Sequence, residues 1–427
     1  MGTLLIKGGH VLSPEDNLDG VLDVLAGDGV IRQIAPEIAE RADDTLDARG
    51  KVVSPGFVDI HVHLREPGGE SSETLETGLA AAVAGGFTAV CPMPNTKPIL
   101  DRPELIRSQI EKAQRLGLAR LLPIAAVSMG SQGESLTDFA ALLAAGVVAF
   151  SDDGRPVKTA GLLKRALKRT RELGVPVNDH CEETSLSAGG FVNEGPVSQK
   201  LGVRGIPNCS EDVAVARDLI LAEATGAHLH VCHVSTAGAL ELVRAAKRRG
   251  IPVTCEVTPH HFTLTEQAVL ELGTNAKVNP PLRSASDVEA IRAGIADGTV
   301  DAIATDHAPH APELKQKPLA GDSPFGLLGL ETALGLALTQ LVHSGKIPLA
   351  RLVLLMSTNP AHIIHQELGR LKVGGAADIT LFDPELEWTY RADAGRSKSR
   401  NSPFDGWKLK GAVTATVVAG RIVYRRA

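Results

Sequence analysis

Aromatic residues are scarce in this chain, at 3% of 427 positions, with two Trp and two Tyr. A core of ordinary size therefore has to be aliphatic, drawn from the abundant Ala, Leu, Val and Gly. Excess charge of either sign is also missing: 44 basic and 50 acidic residues give a formal charge of -6 without long runs. That balance lacks the basic stripe a nucleic acid requires and any polybasic segment for an acidic membrane surface. No apolar run approaches the roughly 20 residues of a membrane span. The five cysteines (Cys91, Cys181, Cys209, Cys232, Cys255) are odd in number and have no short-spaced framework, which argues against a disulfide scaffold and for a cytoplasmic protein. Residues 1–12 show no charged-then-apolar leader pattern. Position 6 is Ile rather than Ser or Thr, so Met1-Gly2 is no myristoylation signal. Neither G-x-G-x-x-G nor G-x-x-x-x-G-K-[ST] occurs, which disfavours a doubly wound nucleotide-binding sheet. A G-x-S-x-G elbow is absent too, so an esterase-type triad has no support.

What is present is alternation. Strand-like segments at 57–63, 87–93, 121–127, 147–153, 175–180, 228–233, 251–256 and 301–306 are separated by helical stretches. Those at 73–84, 103–116, 162–173, 211–225 and 237–249 each run into Gly (Gly85, Gly117, Gly174, Gly226, Gly250), a common helix stop. Eight strands with intervening helices predict an α/β fold of the (β/α)8 barrel type. Short strands with Gly turns are read at residues 3–12 and 20–35 and recur at 378–382, 413–418 and 421–424. Both chain ends are therefore expected to build one small β-sandwich domain, from residues 1–54 and 365–427, around a barrel of residues 55–364.

The first barrel segment reads Phe57-Val-Asp-Ile-His-Val-His63. A period of two places Asp59, His61 and His63 on one strand face, with the two imidazoles side by side at its C-terminal end. Imidazole nitrogen suits zinc and its first-row neighbours. Further candidates stand at other strand ends: Asp152 or Asp153, His180, His233 and Asp306. In a closed barrel all strand ends meet at one mouth, so four His and two carboxylates can hold two metal ions, which lie about 3.5–4 Å apart in such sites. The face argument does not choose between Asp152 and Asp153. A lone His on a strand is more often a packed core residue than a ligand. His228 and His230 open their strand rather than close it, and packing or hydrogen bonding is their expected role. By alternation, Cys181 and Cys232 are expected to point away from the site, and Asp59 to back a ligating His.

Together these residues resemble the amidohydrolase superfamily, and within it the class I dihydroorotases. The resemblance rests on Gly56-Phe-Val-Asp-Ile-His-Val-His-Leu-Arg-Glu-Pro-Gly68, Cys91-Pro-Met-Pro-Asn-Thr-Lys-Pro98, Phe150-Ser-Asp-Asp-Gly154, His180-Cys-Glu182, Val231-Cys-His-Val-Ser235, Val257-Thr-Pro-His-His261, Asn279-Pro-Pro-Leu-Arg283, Ala304-Thr-Asp-His-Ala-Pro-His310 and Val373-Gly-Gly-Ala-Ala-Asp-Ile379. It covers essentially the whole chain. It implies that His61, His63 and Asp306 hold one Zn2+, that His180 and His233 hold a second, and that Asp153 bridges both. Hydantoinases and many other relatives use a carboxylated Lys as the bridge. The implied reaction is the reversible closure of N-carbamoyl-L-aspartate to L-dihydroorotate plus water, the third step of pyrimidine synthesis, with Asp306 as general base then acid.

Such a substrate carries a carboxylate and amides. Arg65, two residues beyond His63, has a fork that fits a carboxylate. Asn95 and His310 are placed to add donors, Asn279 suits an amide, and Phe325-Gly326 precede a helix whose backbone groups are candidates for binding ring atoms. The polar, Pro-rich stretch 307–325 predicts a mobile loop over the mouth. A small-molecule substrate, no nucleic acid, no membrane, a homo-oligomer and association with aspartate transcarbamoylase complete the expectations. The competing readings are an allantoinase or hydantoinase, and an inactive subunit that scaffolds the transcarbamoylase.

Overall fold

The structure, a computed structural model, describes residues 2–426. All eight expected barrel strands are present: Phe57–Val62, Phe87–Pro92, a third running from Arg120–Leu121 to Ile124–Ala125, then Ala149–Phe150, Val177–Asp179, Leu229–Val231, Val253–Val257 and Ala302–Ile303. Each pairs in parallel with the next in sequence. Pro123 interrupts the third because it has no N–H for the ladder. Leu122 N–H to Val90 C=O and Val148 N–H to Pro123 C=O carry the pairing across the gap. The barrel closes where Val62 bridges His307 in parallel and His63 N–H donates to His307 C=O at 2.8 Å.

Helices Leu75–Ala84, Ala160–Leu173, Ala237–Arg248 and Ala285–Asp297 are started by Thr74, Thr159, Thr236 and Ser284, whose hydroxyls accept the third N–H of the helix. Gly117 and Gly174 end two helices in the left-handed conformation, as expected of a stop. Gly85 stays right-handed, and the turn to positive φ falls one residue later at Gly86.

The chain ends meet in one eight-stranded sheet. Its order is Arg421–Arg425, Lys408–Val418, Ile379–Thr389, Val52–Pro55, Thr3–Ser13, Leu18–Gly27, Val30–Ala35, with Asp44–Asp47 also paired to Thr3–Ser13. The seam between the two ends is antiparallel, from Ile379 opposite Pro55 to Phe382 opposite Val52. One buried cluster draws Leu4, Ile6, Val24 and Val53 from the first end and Ile379, Leu381 and Val417 from the second. Burying each of the larger of these side chains contributes about 1.5–3 kcal/mol. The seam strand Val52–Pro55 leads directly into the first barrel strand, so the sheet fixes where His61 and His63 emerge.

Candidate active site

The six ligand candidates gather at the barrel mouth. Asp153 lies at their centre: Oδ1 is 3.5 Å from His61 Nε2 and 3.6 Å from both His180 Nδ1 and His233 Nε2, and Oδ2 is 3.5 Å from His63 Nε2. Asp306 Oδ1 is 3.0 Å from His63 Nε2 and 3.6 Å from His61 Nε2. The donor atoms of His61, His63 and Asp306 fall within 4.8 Å of one another, as do those of His61, Asp153 and His233. Asp152, which alternation left open, turns away, and its carboxylate accepts from Ser128 N–H and Oγ–H.

Three site residues sit at positive φ without being Gly: Arg65 (62°), His233 (34°) and Asp306 (46°). L-residues adopt this region at a cost, and such strain gathers at functional sites. In each case the chain turns sharply just past a strand, which throws the side chain over the mouth. His233 shows the consequence. Strict alternation would put it on the face opposite His230 and Cys232. Instead His230 and Cys232 face the barrel interior, and the turn at His233 brings its ring to the same side. Cys232 Sγ accordingly lies with Glu256 beside His61, contrary to the expectation that it points away. Gly154 follows Asp153 at φ 86°, and a Cβ there would stand 2.7 Å from Asn95 Nδ2.

Behind the mouth, Glu256 organises the histidines. Its Oε1 accepts from His61 Nδ1 at 2.6 Å, its Oε2 contacts His230 Nε2 at 3.1 Å, and His233 N–H donates to Oε1 at 3.3 Å. His230 Nδ1 is held by Thr254 Oγ1 at 2.8 Å, a hydrogen-bonding role as expected. Asp59 backs no imidazole. It accepts from Thr305 N–H and Oγ–H and from His61 N–H, and so anchors the strand end that carries Asp306. Burial, only partly offset by those bonds, pushes its carboxyl up to about 7. Glu182 and Asn95 complete the frame: Glu182 Oε2 is 2.8 Å from His180 Nε2, and Asn95 Oδ1 is 2.9 Å from His63 Nδ1.

The donor set fits a cation. His61 Nε2 and Asp153 Oδ1 are buried, face one another, and have no hydrogen-bond partner. Leaving two such atoms unmatched costs about 1–3 kcal/mol each, which a metal between them removes. Burial alone would raise Asp153, but the charge of His61 and the neighbouring imidazoles of His180 and His233 hold it well below the usual carboxylate range. Asp306 is likewise lowered against its burial, by the His63 hydrogen bond and then the charges of His61 and His63. Both carboxylates are thus ionised, as ligands must be. A second group with metal-type donors, Asp179, Cys181 and Asp218, is instead closed by Arg217, whose Nε and Nη2 reach Asp218 and Asp179 at 2.6 and 3.3 Å.

Above the cluster is a cavity of about 320 Å³, lined by His63, Asp153, His180, His233 and Asp306 below and by Arg65, Asn95, Asn279, His310, Phe325 and Gly326 around the rim. Every residue singled out for substrate from the sequence lines this space, but several of their hydrogen bonds are already made. His310 Nε2 is 2.7 Å from Phe325 C=O, and burial followed by the charges of Arg65 and Lys315 pushes this imidazole down to about 2. A neutral ring bonded in that way has no N–H left for a substrate. Gly326 N–H donates to Lys277 C=O, so it is not a free donor either. Nor does a helix begin at Phe325-Gly326: the next starts at Ala333, beyond Glu331. Asn279 Nδ2 donates to Glu182 at 2.9 Å. Arg65 Nε donates to Pro309 C=O at 3.0 Å, which aims its fork across the mouth.

Residues 50–239 match the family described as "Dihydro-orotase-like". A relative named dihydroorotase from Citrifermentans bemidjiense is 49% identical over 423 residues, 99% of either chain. Another of that name from Pelotomaculum thermopropionicum is 50% identical over 421 residues, 98% of either chain. The chain belongs to the dihydroorotase family. Its members are hydrolases acting on cyclic amides, and the barrel with a sheet from both chain ends recurs in solved structures. The L-hydantoinase (dihydropyrimidinase) from Arthrobacter aurescens superposes with a TM-score of 0.89 at 27% identity, over 100% of this chain and 97% of that one. A dihydropyrimidinase from Brevibacillus agri shares the fold at 0.83 and 24% identity, over 99% and 95%. In this dihydroorotase-family chain, Glu256, Glu182 and Lys277 were not singled out from the sequence. Glu256 carried a readable signal, since it lies on one strand face with Thr254, one layer below the mouth. Among the described residues no helix is long and apolar enough to cross a membrane.

Proposed function

We propose that this chain is a zinc-dependent dihydroorotase that interconverts N-carbamoyl-L-aspartate and L-dihydroorotate plus water. The observation that carries the reading is the shared cavity, in which the cation-binding cluster forms the floor and Arg65 and Asn95 the rim. His61, His63 and Asp306 would hold one ion, His180 and His233 a second, and Asp153 both. Bound there, zinc supplies an acidified water and a Lewis acid for the ring carbonyl. Asp306, ionised and beside His63, takes the proton of the attacking water and returns it to the departing ring nitrogen. The Arg65 fork holds the substrate carboxylate, and Asn95 uses the amide N–H that its bond to His63 leaves free. Asn279 keeps its carbonyl oxygen for an amide N–H of the ring, while Phe325 and Gly326 wall the ring from water.

The test is turnover by the zinc-loaded protein of dihydroorotate against hydantoin and allantoin. Dihydroorotate is expected to be preferred strongly, because the two neutral rings offer Arg65 no carboxylate. Equal or faster opening of either would overturn the assignment and favour the hydantoinase reading. We further place the enzyme in the cytoplasm as a homo-oligomer open to association with aspartate transcarbamoylase, for which sedimentation of the pure protein, with and without that partner, is the check.

A further inference from the structure

Two lysines buried beside the mouth have no counter-ion. Lys277 and Lys315 are 1% and 5% exposed, and neither ammonium is ion-paired among the described residues. Asp322 acts on Lys277 only at longer range. Both instead donate to backbone carbonyls of the segment that forms the rim. Lys277 Nζ reaches C=O of Leu319 (2.9 Å), Gly321 (3.3 Å) and Ser323 (2.6 Å). Lys315 Nζ reaches C=O of Pro324 and Gly326 (both 3.0 Å) and of Lys277 itself (3.4 Å). The Lys277 ammonium also stands 4.6 Å from the centroid of the Phe325 ring.

Three converging carbonyls match the three N–H donors of an ammonium. Burying a cation without a countercharge is expensive even when all its donors are used. A neutral residue would fill either space at lower cost. What the pair does achieve is geometric: five carbonyl bonds tie residues 319–326 into an arch whose inner surface is Pro324, Phe325 and Gly326, and a sixth, from Lys315 to Lys277 C=O, joins the two lysines.

We propose that Lys277 and Lys315 are positioning residues for substrate, two ammonium clamps that hold the Pro324–Phe325–Gly326 wall of the cavity in its binding conformation. The proposal rests on the dihydroorotase reading for its substrate, but the clamp itself is measurable without turnover. The full-length zinc-loaded protein is compared with Lys277→Met and Lys315→Met, which keep the stem and remove the donors. KM for dihydroorotate is expected to rise about tenfold or more, because the wall must be ordered anew on each binding event. The kcat is expected to stay within about threefold, since neither lysine touches reacting atoms. Hydrogen exchange of peptides covering 316–326 is expected to quicken by about tenfold or more, with the barrel strands unchanged. Should a Met variant fail to fold, Lys315→Arg replaces it. Its planar fork cannot serve three converging carbonyls, so the same rise in KM and loss of protection are expected. Wild-type protection of 316–326 in the folded variants would overturn the clamp, as would an unchanged KM with a fallen kcat. If the wild type does not turn over dihydroorotate while the exchange result holds, the clamp stands and the substrate assignment falls.

Discussion

Glu256 Oε1 accepts from His61 Nδ1 at 2.6 Å, which turns Nε2 of that ring toward Asp153. The bond fixes both tautomer and ring plane, the arrangement by which a carboxylate behind an imidazole raises its basicity toward a metal.

Glu256→Gln is therefore expected to weaken zinc binding roughly 10- to 100-fold. Competition with a chromogenic chelator measures this directly. An affinity equal to wild type would show that His61 is oriented without Glu256.

Asp306→Asn keeps the shape and removes the carboxylate proposed as the base. Turnover of dihydroorotate is expected to fall by about 10²–10⁴, the usual contribution of a positioned proton acceptor. Steady-state kinetics decide it, with bound zinc measured in the same sample. A loss below tenfold with full metal content would assign proton transfer elsewhere.

Arg65 offers a different signature, because it is read through the substrate's charge. A hydrogen bond to a charged group contributes about 1.5–3 kcal/mol, so Arg65→Gln should raise KM for dihydroorotate about 10- to 100-fold. Opening of neutral hydantoin, however slow, should change little. Parallel loss on both rings would mean that Arg65 supports the loop rather than the carboxylate.

Acid should destabilise the fold through its buried neutral imidazoles. Burial, with the neighbouring His230 and His365, holds His228 down near 3, and burial acts first on His261, also down to about 3. The unfolded chain protonates both below about 6.5, whereas the native state does not until about 3. The unfolded state thus binds more protons in that window, and stability falls as pH falls through it. Asp59, raised to about 7, works with the opposite sign. Urea unfolding of the zinc-free protein at pH 7.5, 6 and 5 tests this, and His228→Gln should flatten the slope. An unchanged slope in that variant would remove His228 from the account.

Much of this molecule was legible in its residues. The eight barrel strands follow from alternation, and the joined ends from two strand-rich flanks with matching Gly turns. The positions that escaped have specific causes. Asp152 and Asp153 are neighbours past a two-residue strand, where period-two reasoning has too little length to act on. His233 reaches the site as expected, but through a turn at positive φ that nothing in the residue type announces, and Cys232 therefore faces inward instead of away. Glu256 shares a strand face with Thr254, but its partners His61 and His230 meet it only when the barrel closes. Lys315, within the polar, Pro-rich stretch 307–325, looks like a solvated charge on a mobile loop, and Lys277 like an ordinary charge beside Asn279-Pro280-Pro281. Both are met by carbonyls of residues 319–326, which fold back over them.

The antiparallel seam between Val52–Pro55 and Ile379–Thr389 has a consequence for biogenesis. As the chain leaves the ribosome, the strand that launches the metal-site histidines waits for a neighbour more than three hundred residues downstream. The N-terminal flank is therefore left with an open edge until Ile379–Thr389 emerges to seal it.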